Sequence, residues 1–363
     1  MNTSLSQELS GLKVLHTSDI HLRTLGDERW TALEKILGVG KKEKIDVLAI
    51  SGDLFDAKID AEELRPKIRD VFSNNGFDIV LIPGNHDCNV CKDMYFGADA
   101  TVLTDLDKPF EKRNVRIWGL PFENIQTEQV IGKLQYLKTR LDKKHANILL
   151  YHGELIDAFF SRKDFGEEGE QRYMPLKLSY LKDIDVNYVL SGHFHSTFSV
   201  RTLESGGYFV YPGSPVSITK KETGQRMVNI FEVGKKPTPY ALDTHHFEDV
   251  TITFDPFKGE HPVDTVKEIL RKAHPSARVI LTIGGFIDTQ AIGMKEPELI
   301  AALNQTINEK CEEVHFGFKE IHVILGDDLF KNFSQKLDHS KFDEEKKRQL
   351  RDLAIRAMME AKA

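Results

Sequence analysis

The sequence predicts a layered α/β protein followed by a smaller α+β unit and a charged helical end. Three observations carry that prediction. Five apolar runs, each the length of a strand, end in Asp, Asn or His. Between them apolar residues recur at helical spacing, so strand and helix alternate, as they do in layered α/β folds. Beyond residue 235 a proline-bearing break precedes a second, shorter alternation.

The first observation is clearest at residues 78–87, Asp-Ile-Val-Leu-Ile-Pro-Gly-Asn-His-Asp. An apolar run stopped by Pro83-Gly84 is a buried strand with a tight turn at its carboxyl end. The turn carries Asn85, His86 and Asp87 together to the sheet edge, where open α/β sheets bind ligands. Residues 12–17 run likewise into Asp19 and His21, and 45–50 into Gly52-Asp53-Leu54-Phe55-Asp56. Residues 146–151 run into His152, and 186–190 into Gly192-His193-Phe194-His195.

The intervening helices are expected at 30–37 (Trp30, Leu33, Ile36, Leu37), 64–72 (Leu64, Ile68, Val71, Phe72) and 130–141. A further strand is expected at 114–120. From 198 to 233 helices give way to short strands at 198–203, 208–211 and 227–233, parted by Gly- and Pro-rich turns, as in a sheet finished by antiparallel strands. Residues 235–246 read as a linker. After it the order is strand (250–254), helix (263–273), strand (278–283), helix (296–310) and strand (313–324). Domains are therefore expected at 1–245 and 246–326, with 327–363 as a helical segment.

Composition sets outer limits. With 363 residues, 40% hydrophobic and 29% charged, the chain has the make-up of an ordinary soluble globular protein of about two domains. No run approaches the roughly 18 apolar residues of a membrane span, and residues 1–13 lack the apolar stretch of a signal peptide. Three cysteines make no disulfide framework. Together these features predict a cytoplasmic protein away from the membrane. A net charge of −7 excludes a wholly basic coat but leaves local basic patches open.

The strand-end residues point to metal. Asp19 and His21, like His193 and His195, are two apart, so on extended chain each pair shares a face. Imidazoles and carboxylates gathered at strand ends repel or stay unsatisfied unless cations lie among them. Two-metal hydrolases hold their ions about 3.5–4 Å apart with a bridging carboxylate. Asp53, alone on its turn, is the natural bridge. Singly, each motif has a plainer reading as a turn or a satisfied core residue; the ordered conjunction favours the metals. His16 is expected to be a hydrogen-bonded core residue and His245-His246 to be solvated in the linker.

Asp19-x-His21, Gly52-Asp53, Gly84-Asn85-His86-Asp87, His152 and Gly192-His193-x-His195 resemble the five motifs of the calcineurin-like metallophosphoesterases. His16 to Leu22, Ser51 to Asp56 and Tyr211-Pro212-Gly213-Ser214 resemble, more narrowly, the SbcD-type DNA repair exonucleases. The resemblance is strong over residues 12–235 and rests on pattern alone beyond. It implies an α/β/β/α sandwich with an α+β capping domain, and a manganese-dependent exonuclease and endonuclease of double-strand break repair. It further implies two divalent ions, most simply Mn2+, a homodimer, and a coiled-coil SMC-like ATPase (SbcC-type) as partner. Carried over, Asp19, His21, Asp53 and His195 would hold one ion and Asp53, Asn85, His152 and His193 the other. His86 would then serve the leaving group, with Asp87 orienting its ring. Asp56 stands where some members carry a histidine that contacts DNA or phosphate.

Several readings stay open. Arg162 and Lys163 either contact substrate phosphate or belong to a solvated loop, and Lys220, Lys221 and Arg226 pose the same choice. Cys88 and Cys91 are packing residues or an oxidation-dependent disulfide. The stripe Leu64, Ile68, Val71, Phe72 is a dimer seam or packs on the sheet. The tail helix, opened by Ser340 with Asp343 and lined by Leu350, Leu353, Ala354, Ala357 and Met358, folds back or grips the ATPase. The alternative activity is hydrolysis of a small phosphodiester such as a cyclic nucleotide or nucleotide-lipid, and a non-catalytic scaffold is a third class.

Overall fold

The computed structural model describes residues 11–57, 59, 61–89, 95–157, 173–307 and 310–362. The chain divides into two units, Met1–Phe247 and Glu248–Ala363.

Among the described residues the first unit has two six-stranded sheets. One is built from β1 (Lys13–Thr17), β2 (Val47–Ser51), β3 (Asp78–Ile82), β4 (Ala100–Val102), β11 (Met227–Glu232) and β12 (Thr238–Ala241), in the order β12-β11-β1-β2-β3-β4. The other is built from β5 (Phe110–Lys112), β6 (Val115–Leu120), β7 (Ala146–His152), β8 (Tyr188–Gly192), β9 (Ser199–Thr202) and β10 (Tyr208–Tyr211), in the order β5-β6-β7-β8-β10-β9. β1 to β4 are mutually parallel, as are β6, β7, β8 and β10; antiparallel strands finish every edge except that of β4.

Alternation along the strands builds the layers. Val14, Val47, Ala49, Val80 and Ile82 face Val115, Ile117, Ile148, Leu150 and Leu190 of the other sheet. Their neighbours Leu15, Leu48, Ile50, Ile79 and Leu81 point outward to Leu33 and Ile36 of α1 (Glu28–Glu43) and to Leu64, Ile68 and Phe72 of α2 (Ala61–Phe72). On the far side Leu149, Tyr151 and Val189 meet Val130, Leu134 and Leu137 of α3 (Thr127–Arg140). Because both faces of both sheets are covered, the strands read as continuous apolar runs. The result is the expected α/β/β/α sandwich, with the carboxyl ends of the parallel strands supplying the site.

Two expectations change here, and one open choice narrows. Residues 235–246 are not a bare linker: they contain β12, which pairs with β11. His246 is fully buried, with Nδ1 2.8 Å from Thr244 O, so it is not solvated. Leu64, Ile68 and Phe72 are core residues of α2, 5%, 0% and 0% exposed. Uncovering such side chains for a seam would forfeit roughly 1.5–3 kcal/mol each, so the stripe serves the sheet. His16, by contrast, is buried with Nε2 3.0 Å from Ser51 Oγ, as expected.

The second unit has β13 (His246–Phe254), β14 (Ala277–Ile287) and β15 (Cys311–Phe316) in that order, with β16 (Lys319–Glu320) also paired to β14. Val279, Leu281 and Ile283 alternate along β14 onto Val266 and Leu270 of α4 (Pro262–Lys272). The short α5 (Thr289–Ile292) leads to α6 (Glu296–Thr306), whose Leu299 and Leu303 complete this core. After α7 (His322–Leu325), α8 (Asp328–Asp338) and α9 (Glu344–Lys362) form a second cluster, in which Ile355 packs with Phe286, Ile321, Ile324 and Phe330.

The expected face of the tail helix is therefore rotated. Residues two apart on a helix point about 200° apart; with Ile355 fully buried, Leu353 faces solvent, 63% exposed. Ser340 does not start the helix. Its hydroxyl donates to Leu337 O at the end of α8, while Asp343 Oδ1 accepts from Lys346 N at 2.7 Å and caps α9. No helix among the described residues is long and apolar enough to cross a membrane.

Candidate metal centre

Every strand end singled out in the sequence reaches one place. Asp19 and His21 follow β1, Asp53 follows β2, and Asn85, His86 and Asp87 follow β3; His152 ends β7, and His193 and His195 follow β8. The segments after β1 and β2 run side by side, with Asp19 N donating to Gly52 O (3.1 Å) and His21 N to Asp53 O (3.0 Å). Asp19, His21, Asp53 and His193 hold left-handed backbone, at φ of 55°, 52°, 52° and 87°. Only eight non-glycine residues among those described do so. Each such residue costs roughly 1–2 kcal/mol, and strain of this kind gathers at functional sites.

Two glycines make room. A Cβ at Gly84 would lie 2.1 Å from Asp53 Oδ1, and one at Gly52 would lie 2.2 Å from His152 Nδ1. These glycines let the turns of β2 and β3 close on the metal-facing side chains.

Hydrogen bonds fix those side chains from behind. His193 N donates to Asp19, and His86 N donates to Asp53 Oδ1 at 2.9 Å. Asp53 Oδ2 then lies 3.7 Å from His21 Nε2 and 3.4 Å from His152 Nε2, between the two groups of ligand types. His152 Nδ1 is 2.8 Å from Ser51 O, an acceptor, so Nδ1 carries a proton. Its Nε2 faces Asn85 Oδ1 at 2.8 Å and Asp53, two more oxygens. A nitrogen placed among acceptors needs a proton or a cation.

The same demand recurs across the site. His21 Nε2, His195 Nε2 and Asp53 Oδ2 are buried without a hydrogen bond. Asp19, His21 and His195 each offer one ligand atom within 4.8 Å of the others, as do Asp19, Asp53 and His152. These donor sets fit divalent ions with mixed N/O ligation. Without ions, protons take their place. Burial alone would raise the Asp19 and Asp53 carboxyls, but His195 for the first and His152 for the second, among other histidines, hold both well below the usual range. Burial would lower His152, yet Asp53 lifts it to about 9. His195 is likewise raised well above its usual value, where Asp19 and Glu222 outweigh burial.

The structure places the other predicted residues as follows. Asp87 is 1% exposed; its Oδ1 accepts from Gly84 N (2.7 Å) and its Oδ2 from Phe55 N (3.2 Å), so it shapes the turn. The carboxylate 3.3 Å from His86 Nδ1 belongs to Asp56, which also binds Arg29 Nη1 at 2.7 Å and Arg23 Nε. Asp56 thus joins the site through His86 and two arginines. His86 is 20% exposed and lies where the centre meets solvent. Arg226 is 2% exposed and Glu222 0%, behind His195, so Arg226 does not offer a surface contact; Lys220 and Lys221 are exposed. Sequence reading missed Glu222 because a Lys-Lys-Glu-x-x-x-Arg run resembles a solvated turn. Arg162, Lys163 and Cys91 lie outside the described residues; Cys88 is half-buried beside the core of the second sheet.

A family model for calcineurin-like phosphoesterases matches residues 12–197. The D component of nuclease SbcCD from Staphylococcus saprophyticus is 22% identical over 373 aligned residues, covering 89% of this chain and 92% of that protein. The Staphylococcus epidermidis protein of the same name is 23% identical over 254 residues, 59% of this chain and 64% of its own length. Among solved structures, TT1561 of Thermus thermophilus gives a TM-score of 0.43 at 14% identity, covering 63% of this chain and 98% of that one.

Proposed function

The chain belongs to the calcineurin-like phosphoesterases, and from that premise we propose that it is a manganese-dependent DNA nuclease of double-strand break repair. The observation that carries the proposal is the extent of similarity to the D component of nuclease SbcCD, which spans 89% of the chain and so runs well into the second unit. An enzyme for small phosphodiesters would share the metal centre but has no need of that second unit.

In this reading Asp19, His21, Asp53 and His195 hold one ion, and Asp53, Asn85, His152 and His193 the other. Ions held there would supply Lewis acidity to the phosphate and an attacking water deprotonated near neutral pH. His86 stands at the mouth. Asp56 Oδ1 lies 3.3 Å from its Nδ1, so in the charged ring Nδ1–H faces that carboxylate and Nε2–H is the proton left for delivery. That proton is the one delivered to the leaving oxygen, a contribution of roughly 10²–10⁴-fold. Asp56 takes the orienting role expected of Asp87. A coiled-coil ATPase is the partner this similarity suggests. On the segment after residue 327, Leu329, Phe342 and Leu353 are the exposed large apolar side chains available to it.

The test is cleavage of linear duplex DNA with Mn2+, before and after chelation, against bis-para-nitrophenyl phosphate and a cyclic nucleotide. Metal-dependent DNA cleavage is expected. Turnover of the small substrates with none on DNA would replace the nuclease reading by the small-phosphodiester one.

A further inference from the structure

We propose that Glu222 is a positioning residue of the metal centre, fixing the ring and tautomer of His195 so that Nε2 is the ligand nitrogen. The inference rests on the reading of His195 as a metal ligand. It concerns the loop between β10 and β11, which contributes no ligand of its own to either set.

Glu222 is fully buried, and its Oε1 lies 3.4 Å from His195 Nδ1. The other end of the imidazole, Nε2, faces Asp19 Oδ1 at 3.6 Å, on the metal side. The carboxylate is itself held from three directions. Oε2 accepts from Ile218 N (2.8 Å) and Ser214 Oγ (3.2 Å), and Oε1 accepts from Thr219 Oγ1 (3.2 Å). Arg226 then clamps the main chain of the same histidine. Its Nη2 donates to His195 O and to Ser214 Oγ, Nη1 to Ser196 O (3.0 Å) and Nε to Ser214 O (2.9 Å). Gly213 leaves space for this: at φ +76°, a Cβ there would meet His195 O at 3.1 Å and Arg226 Nη2 at 3.4 Å.

A loop that had only to turn would gain nothing from burying a carboxylate and a guanidinium, each of which is costly to desolvate. Here both charges converge on one residue, the carboxylate on its ring and the guanidinium on its carbonyl. The 3.4 Å contact is an ion-pair distance and not an aligned hydrogen bond, both ring nitrogens of His195 being buried without one. With an ion on Nε2 the ring proton is left on Nδ1, facing that carboxylate, which raises the basicity of Nε2 and fixes which nitrogen can bind a metal. Glu222 touches neither substrate nor metal; it acts through His195.

Glu222→Gln separates this role from a structural one, because it keeps size and shape. The amide oxygen is required at the Oε2 position to accept from Ile218 N and Ser214 Oγ. The NH2 then faces His195 Nδ1, drives the ring proton to Nε2 and removes the ligand. Glu222→Asp is the opposite case, worse for packing but still a carboxylate. Titration of the metal-free full chain with Mn2+ alone, by calorimetry, is the readout, with melting temperature as the control. Wild type should take up Mn2+. Glu222→Gln should bind about 10–100-fold more weakly, and Glu222→Asp should lose less than Glu222→Gln although it melts lower. If Glu222→Gln binds like wild type, or if Glu222→Asp is the weaker binder, the positioning role is overturned and Glu222 is a packing residue. Failure of the wild type itself to bind Mn2+ would instead overturn the metal-centre reading, and this inference with it.

Discussion

Asp56→Asn tests how the solvent-facing rim of the centre is held. The carboxylate of Asp56 binds Arg29, whose side chain is 3% exposed and whose Nη1 also donates to His21 O at 2.6 Å. Arg23, 58% exposed, binds it from the solvent side, and His86 Nδ1 lies 3.3 Å away. Removing one partner of a buried ion pair costs about 3–5 kcal/mol, because the other charge stays buried. Asparagine keeps one oxygen acceptor for Arg29, so the lower end, about 3 kcal/mol, is expected. The pH dependence has a definite sign. Burial would raise the Asp56 carboxyl, but His21, His86, Arg23 and Arg29 together hold it far below the usual range. A depressed carboxyl stabilises the fold above the unfolded pKa of about 3.9 and loses that contribution as the pH falls below it. Guanidinium unfolding of metal-free wild type and variant at pH 7 and pH 3.5 measures both effects. The variant should be less stable at pH 7, with the gap narrowing at pH 3.5. At pH 7 it should also lose DNA cleavage, and Mn2+ binding should weaken with it, since Asp56 lies 3.3 Å from His86 Nδ1 and 3.9 Å from Nδ1 of the proposed ligand His21. A variant within 1 kcal/mol of wild type at both pH values would refute the buried-pair argument.

Two further outcomes follow from the geometry. Gly84→Ala should keep its far-ultraviolet circular dichroism yet lose most Mn2+ uptake, since the new Cβ lies 2.1 Å from Asp53 Oδ1 and 2.5 Å from Asp53 N; normal uptake would show that the turn can shift without harm. Removing residues 340–363 should lower the melting temperature of the second unit, because Phe286, Ile321, Ile324 and Phe330 lose the cover of Ile355, and an unchanged melt would show that α9 is dispensable to the fold.

What could be read from the sequence is what depends on neighbours in the chain. Asp78 to Ile82 is apolar after its first residue because each of its faces meets another layer, and Pro83-Gly84 ends it by backbone geometry alone. The residues that follow must then lie at the sheet edge, so Asn85, His86, Asp53, His152 and the rest were identifiable before any coordinates. Hydrophobic spacing found α2 equally well, but it could not say which surface the stripe covers. Leu64, Ile68 and Phe72 give the same pattern whether they face a sheet or a second chain.

The rest was hidden because it joins loops that are far apart in sequence. Asp87 is one residue from His86, and adjacency made it the obvious partner. Yet adjacent side chains on a turn diverge, and Asp87 turns inward to Gly84 N and Phe55 N. Asp56, 30 positions earlier, is brought to His86 because the turns after β2 and β3 lie next to each other in the sheet. Glu222 and His195 are drawn together in the same way by the return of β10 alongside β8. In both places the sequence shows a charged residue on a turn, which usually means solvent. What supports the proposed roles of these carboxylates is that a histidine faces them from another strand end, and only the pairing of strands supplies that histidine.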